Sequence, residues 1–301
     1  MKLAVTGGTG FVGSHLIEAA LAAGHTVRAL TRRSRPTRDK LTWVEGDVLA
    51  VDALIELVAG CDAVIHAAGV LNPRYASEFL ETNLWGTTTL LSAMSQSRTD
   101  RLIFVSSLAA RAPELSNYGQ SKDAAEGRVE ELGIDWTIVR PPGVYGPGDR
   151  ETLALFKMAK RGIVMMPPPG RASYIHVADL ARLLLALADP GTLRSKVLEP
   201  DDGRPGGWSH AEFAAALGVA LGRPARAIHV PGLALKAAAQ IAWAVAANRS
   251  QLTPDRASYF CHPDWVVDPA RAPPASLWQA QIATPQGLAE TAAWYRAKNW
   301  L

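Results

Sequence analysis

Cysteine occurs only twice in the 301 residues, at Cys61 and Cys261. That is too few for a disulfide framework or a cysteine-rich metal site. No His-x-x-x-His pair and no cluster of carboxylates offers metal-ligand spacing. No Gly-x-Ser-x-Gly turn presents a serine nucleophile. Charge of one sign is scarce too: the net value is +3 and the arginines are scattered, which argues against a nucleic-acid partner. Long apolar runs are missing with one exception. Val230 to Ala247 is interrupted by Lys236 and Gln240 and is marginal for a bilayer span. It reads as a buried or pocket-lining helix, with a membrane-surface contact as the alternative. The chain opens on the strand-like Lys2-Leu3-Ala4-Val5, so a cytoplasmic location without a signal peptide or a membrane partner is the expectation. There is no internal repeat and no low-complexity tail.

What is present is an ordinary globular composition, 48% apolar and 20% charged, in an alternating order. Short apolar runs at Leu3–Val5, Thr26–Leu30, Leu41–Glu45, Ala63–His66, Leu102–Val105 and Trp136–Val139 are separated by longer helical patterns at Phe11–Ala23, Val51–Ala59, Ser77–Gln96 and Asn117–Leu132. Continuous apolar strands between helices predict a parallel sheet covered on both faces. The expected fold is therefore α/β, a Rossmann-type doubly wound sheet. A smaller, mostly helical C-terminal lobe follows, rich in proline and tryptophan. The expected division is 1–188 for the nucleotide domain and 189–301 for the substrate lobe, with the loops of 141–172 contributing to the lobe.

Thr6-Gly7-Gly8-Thr9-Gly10-Phe11-Val12-Gly13 lies between the first strand and the first helix. Gly7, Gly10 and Gly13 allow a tight turn, close approach of backbone to phosphate, and close helix–strand packing. The helix N-terminus favours an anion. This context makes the glycine pattern a dinucleotide site. After the second strand, where a carboxylate would bind the ribose of NAD, stand Thr31-Arg32-Arg33, with Arg35 and Arg38 nearby. Guanidinium groups there pair with a 2′-phosphate, so NADP is expected over NAD. The bland alternative is a solvated basic loop. Asp47 ends the third strand beside the adenine, or caps the next helix.

Tyr118 and Lys122 are four residues apart, hence one turn apart on one helix face. A free phenol titrates near pH ~10. A neighbouring ammonium stabilises its phenolate and makes it a usable acid or base. Ser106 and Ser107 end the fifth strand on the ligand side of such a sheet, and Ser107 is preferred as the hydroxyl that holds a substrate carbonyl. Asn83 can order the sheet end or a water, or be merely structural. His66 is expected to pack near the cofactor, His176 to be structural or pocket-lining, and Asp179 to start a helix. Together these groups predict hydride transfer to a ketone or aldehyde, or from a secondary alcohol. Trp208, Trp243 and Trp265 hint at an apolar or aromatic substrate, although tryptophans more often simply pack.

These motifs resemble those of the extended short-chain dehydrogenases/reductases, in the broad NAD-dependent epimerase/dehydratase group. The resemblance rests on the glycine turn, Gly46-Asp47, His66-Ala67-Ala68-Gly69, Ser106-Ser107, Tyr118 with Lys122, Arg140-Pro141 and Tyr145-Gly146-Pro147-Gly148. Trp265-Val266-Val267-Asp268, Gly287-Leu288 and Trp294-Tyr295-Arg296 are similar to the closing segment of its flavanone-reductase-like and hydroxysteroid-dehydrogenase-like branch. The resemblance implies that Ser107 holds the substrate oxygen and Tyr118 transfers the proton. Lys122 would bind the nicotinamide ribose and lower the tyrosine pKa, Asp47 would meet the adenine, and Arg32 the 2′-phosphate. The implied cofactor set is Gly7, Gly10, Phe11, Val12, Gly13, Arg32, Arg33, Asp47, Val48, Ala67, Ala68, Gly69, Asn83, Tyr118, Lys122, Pro141, Gly143 and Val144. A homodimer through the helices at Ser77–Gln96 and Asn117–Leu132 is also implied. Epimerases of the group usually carry an acid after the second strand, so Thr31-Arg32 is a departure that weakens the sugar-epimerase reading. Two alternatives stand beside a reductase: an NAD-dependent nucleotide-sugar epimerase or dehydratase, and a non-catalytic NADP-binding regulatory protein.

Overall fold

In the computed structural model, residues 1–246 and 252–301 are described, and they form two compact units. The first comprises 1–140 and 180–198, the second 141–179 and 199–301. The chain therefore passes from one to the other three times.

The first unit is a seven-stranded, wholly parallel sheet. Its strands are β1 (Lys2–Thr6), β2 (Thr26–Thr31), β3 (Leu41–Glu45), β4 (Ala63–His66), β5 (Arg101–Val105), β6 (Asp135–Val139) and β7 (Lys196–Leu198), in the order β7-β6-β5-β4-β1-β2-β3. The chain winds outward from β1 to β3, then returns to β4 and winds the other way. The reversal lies between β1 and β4, whose last residues Thr6 and His66 are in register. A doubly wound sheet opens a crevice at such a point. Every residue of β4 and β5 is buried, as strands covered on both faces require. Leu54, Leu57, Leu90, Met94, Phe104 and Val129 fill one of the covering layers.

The covering helices are α1 (Phe11–Ala22), α2 (Val51–Val58), α3 (residues 77–97) and α4 (Asn117–Glu131). Helix α3 is not uniform. An α turn at Ser77–Phe79 passes into a π-helical segment, Leu80–Trp85, before α geometry resumes at Gly86–Ser97. A π segment has no compositional signature, and such segments occur often at functional sites. This one carries Asn83. Gly86 follows it because Val48 packs there: a Cβ on Gly86 would lie 2.7 Å from Val48 Cγ2.

The second unit is built around Tyr145, Phe156, Phe213, Leu217, Leu288 and Tyr295. Three small sheets brace it. Gly143–Tyr145 pairs with Tyr174–His176, and Ile163–Met166 with Arg226–His229, both parallel. Arg171–Ala172 lies between Trp208–Ser209 and Asp264–Trp265. Ser209 and Glu212 form a reciprocal cap on the helix His210–Ala220.

One expectation is overturned here. The apolar segment read as a buried or pocket-lining helix forms a helix at Gly232–Ala246 that is mostly exposed. Among its described residues only Ala239 is buried, with Leu235 and Ala242 half-buried on the same stripe. Apolar composition is not burial, and a run with only Lys236 and Gln240 as polar positions does not tell which of its apolar side chains face a core. Ala247 lies outside the described residues.

Candidate active site

Every strand of the parallel sheet delivers its last residue to one edge, and the glycine turn starts there. Gly7 has φ of +70° and sits against β4: a Cβ on it would lie 2.6 Å from the backbone of Ala67 and Ala68. On Gly13 a Cβ would lie 2.1 Å from the Gly7 carbonyl oxygen. Gly10 is the N-cap of α1 and brings no capping side chain, and the first turn holds no acid. The amides of that helix end remain available to an anion. Phe11 and Val12 are half-buried at its start, Phe11 edge-on to His15 at 5.6 Å. The cradle fits a dinucleotide: small where backbone must approach phosphate, and without negative charge.

His66 does pack, through a defined relay. The Thr6 hydroxyl lies 2.5 Å from His66 Nδ1 and accepts from the Ala68 amide at 3.2 Å. Thr87 donates to the Asn83 carbonyl at 2.6 Å and lies 3.0 Å from His66 Nε2. Thr6 therefore donates to Nδ1 and Nε2–H donates to Thr87, which defines a neutral imidazole. Complete burial, with Lys122 nearby, pushes its pKa down to about 3.

Asn83 is buried in the π segment. Its Oδ1 accepts from Val70 at 2.9 Å, and its Nδ2 donates to the Ser121 hydroxyl at 2.8 Å. Ser121 in turn donates to the Tyr118 carbonyl at 2.8 Å. Gly69 stands between these groups and the lysine: a Cβ there would lie 3.2 Å from Asn83 Oδ1 and 3.5 Å from Lys122 Nζ. Lys122 is buried over the Phe104 ring and donates to the Val105 carbonyl at 2.8 Å. Desolvation lowers its pKa to about 8, opposed by Glu126, which is one turn further on and ion-paired with Arg140 at 2.5 Å.

Ser107 follows β5, and its Oγ accepts from the Ala109 amide at 3.2 Å, capping a short 3-10 turn. The same hydroxyl hydrogen-bonds the Tyr118 phenol. Ser106, by contrast, is buried with its Oγ unpartnered. Geometry thus places Ser107, not Ser106, at the phenol. Burial pushes the Tyr118 phenol above its ordinary value, opposed only by the Ser107 hydrogen bond.

Gly7, Gly10, Gly13, Ala67, Ala68, Gly69, Asn83, Ser107, Tyr118 and Lys122 all stand on this unit, most of them linked by the contacts above. The basic loop divides. Arg38 pairs with Glu18 at 2.5 Å and Arg35 lies over Trp43 at 5.4 Å. Arg32 and Arg33 are exposed and make no ion pair among the described residues. Asp47 is exposed, its Oδ1 accepting from the Leu49 amide at 3.1 Å, while α2 begins after Ala50. It therefore does not cap that helix.

Pro141, Gly143 and Val144 belong to the second unit. His176 is edge-on to Tyr145 at 5.4 Å. Asp179 lies in the first turn of Val177–Leu187, at the start of that helix, and accepts from the amides of Gln281 and Ile282 at 3.1 and 2.9 Å. Trp208 and Trp265 are buried, donating to Asp202 and to the Tyr259 carbonyl. Ser121 and Glu126 were missed in the sequence. Their signal was position: Ser121 lies between Tyr118 and Lys122, and Glu126 lies four residues after Lys122. Among the described residues, no group of His, Cys, Asp and Glu could hold a metal ion, and no helix is long and apolar enough to cross a membrane.

The family model described as "NAD dependent epimerase/dehydratase family" matches residues 3–195. The chain belongs to this family. It is an NAD(P)-dependent oxidoreductase of the short-chain dehydrogenase/reductase type. This epimerase/dehydratase family member is 36% identical to a ceramide reductase of Caulobacter vibrioides, across 99% of this chain and 96% of that one. In fold it is similar to human epimerase family protein SDR39U1, solved with NADPH (TM-score 0.76, 23% identity, 97% of this chain and 99% of that one). It is similar also to MoeE5, solved with UDP-glucuronic acid and NAD (TM-score 0.73, 22% identity, 99% of both chains).

Proposed function

We propose that this protein reduces a keto group on an apolar, long-chain substrate of the ceramide type, with NADPH as reductant. The hydrogen bond between Ser107 and Tyr118, one helical turn from a buried ammonium at Lys122, carries the chemical part of this reading. The 36% identity with a ceramide reductase along almost the full length supports the substrate class. The exposed guanidinium groups of Arg32 and Arg33, without ion pairs among the described residues, support a 2′-phosphate and hence NADP.

A bound nicotinamide supplies the hydride that adds to the carbonyl carbon. Everything else falls to the chain. The amides opening α1, with Gly7 and Gly13, would hold the pyrophosphate. Lys122 would hold a ribose hydroxyl of the bound cofactor and keep a positive charge near the phenol's helix turn. Tyr118, kept protonated at neutral pH by burial, gives its proton to that oxygen as the C=O bond becomes CH–OH. Ser107 donates to the phenol oxygen, leaving the phenol proton free for transfer, and takes up part of the charge that develops.

The test is stoichiometry. Incubated with NADPH and a ceramide bearing a ketone, the protein should consume one NADPH per hydroxyl formed, and NADH should serve poorly. Tightly bound NAD in the isolated protein, with a sugar nucleotide isomerised and no net NADPH consumed, would establish the epimerase reading instead. Cofactor binding with no turnover on either substrate would leave a regulatory protein.

A further inference from the structure

The helix Gly232–Ala246 leaves most of its large apolar side chains exposed. Leu233 is 87% exposed, Val245 81%, Ile241 65% and Trp243 51%. Among the described residues only Gly232 and the stripe Leu235, Ala239 and Ala242 are turned inward. The strand that leads into this helix, Arg226–His229, pairs with Ile163–Met166. The outward residues of that pair are Ile163, Met165, Arg226 and Ile228, while Val164 and Met166 enter the core. A Cβ on Gly232 would touch Pro168 and Cys261, so the helix starts against the same part of the second unit.

Charge is sorted along with this apolar surface. Residues 160–170 and 221–246 carry Lys160, Arg161, Arg223, Arg226 and Lys236, all exposed. None of the 28 carboxylates of the chain falls in either stretch. Isolated surface leucines need no explanation, but exposed apolar side chains grouped along two stretches whose only charged side chains are lysine and arginine do. The combination of large apolar side chains with lysine and arginine is what binds a helix in the headgroup layer of an anionic bilayer. No helix among the described residues is long and apolar enough to cross one.

We propose that the face formed by Gly232–Ala246 and the outward side of the 163–166/226–229 strand pair docks on the surface of a bilayer containing anionic lipid. The apolar side chains enter the headgroup–acyl boundary and the five cations meet lipid phosphates. If the substrate is a lipid, as proposed above, the enzyme would find it there. That link rests on the substrate reading, whereas the docking itself does not.

Sedimentation of the full chain with vesicles tests this, since turnover plays no part in it. The chain should pellet with phosphatidylcholine vesicles that contain phosphatidylglycerol and remain largely in solution with phosphatidylcholine alone, and salt should release it. Leu233→Glu with Val245→Glu should lower the bound-to-free ratio by about tenfold or more, because both side chains would carry charge into the apolar layer. Arg226→Glu with Lys236→Glu should remove the preference for anionic vesicles. The melting temperature and NADPH affinity of both variants should match those of the unaltered chain, since these residues are exposed. The proposal fails if the unaltered chain stays in solution with both vesicles, or if either double variant binds as before. It fails equally if the chain ignores vesicles and forms a dimer that Leu233→Glu with Val245→Glu disperses, for then a second copy covers this face.

Discussion

The Ser107 hydroxyl and the Tyr118 phenol share a hydrogen bond, although eleven positions and a change from strand end to helix separate them. The bond favours the phenolate and opposes the upward shift that burial imposes. Removing it should leave a still weaker acid, because the phenolate that forms loses its donor. Ser107→Ala should lower turnover by roughly 100-fold. NADPH affinity, measured by fluorescence titration, should stay within about twofold, since the change leaves the glycine cradle intact.

Lys122 gives the enzyme an alkaline limit. With its pKa lowered to about 8, the ammonium is present below that pH and lost above it. The phenol, shifted upward, stays protonated through the same window. Turnover and cofactor affinity should both fall above pH 8, approaching tenfold per unit. Lys122→Met should be weak at every pH with that step gone. A pH profile of NADPH oxidation checks this.

Gly13 and Gly24 separate two roles of glycine. A Cβ on Gly13 collides with the Gly7 carbonyl, whereas one on Gly24 meets nothing and suffers only from φ of +85°. Gly13→Ala should abolish measurable cofactor binding and cost about 1–3 kcal/mol. Gly24→Ala should cost about 1 kcal/mol and bind cofactor normally. Thermal unfolding with and without NADPH reads both effects.

His66 links stability to pH. Its native pKa, about 3, lies below the 6.5 of an ordinary histidine, so the unfolded chain takes up its proton first as pH falls. This contribution is fully present above pH 6.5 and is lost between there and about 3. Its slope is about 1.4 kcal/mol per unit. Urea titrations across pH 7 to about 4 should show that slope, and His66→Gln should remove it.

Much of this was legible in the chain because of how the sheet is made. Strands buried on both faces become unbroken apolar runs, so β1 to β6 and the helices between them stood out within a residue or two. Tyr118, Lys122 and Ser107 were legible as chemistry at a strand end and on a helix face. What the chain hid depends on geometry that leaves no period. The π segment at Leu80–Trp85 is composed like its neighbours. Strands of two to four residues in the second unit are too short to alternate. The place of the Lys122 amine, over Phe104 and against the Val105 carbonyl, is set by packing. The exposure of Gly232–Ala246 was hidden for the opposite reason: a helix apolar on nearly every side shows no face.

The central claim is that Tyr118 delivers the proton that completes carbonyl reduction, and Tyr118→Phe with NADPH and a keto-ceramide tests it most directly. Single-turnover NADPH oxidation should slow by about 100- to 10,000-fold, while NADPH affinity stays within about twofold. Unchanged single-turnover rates in this variant would contradict the account.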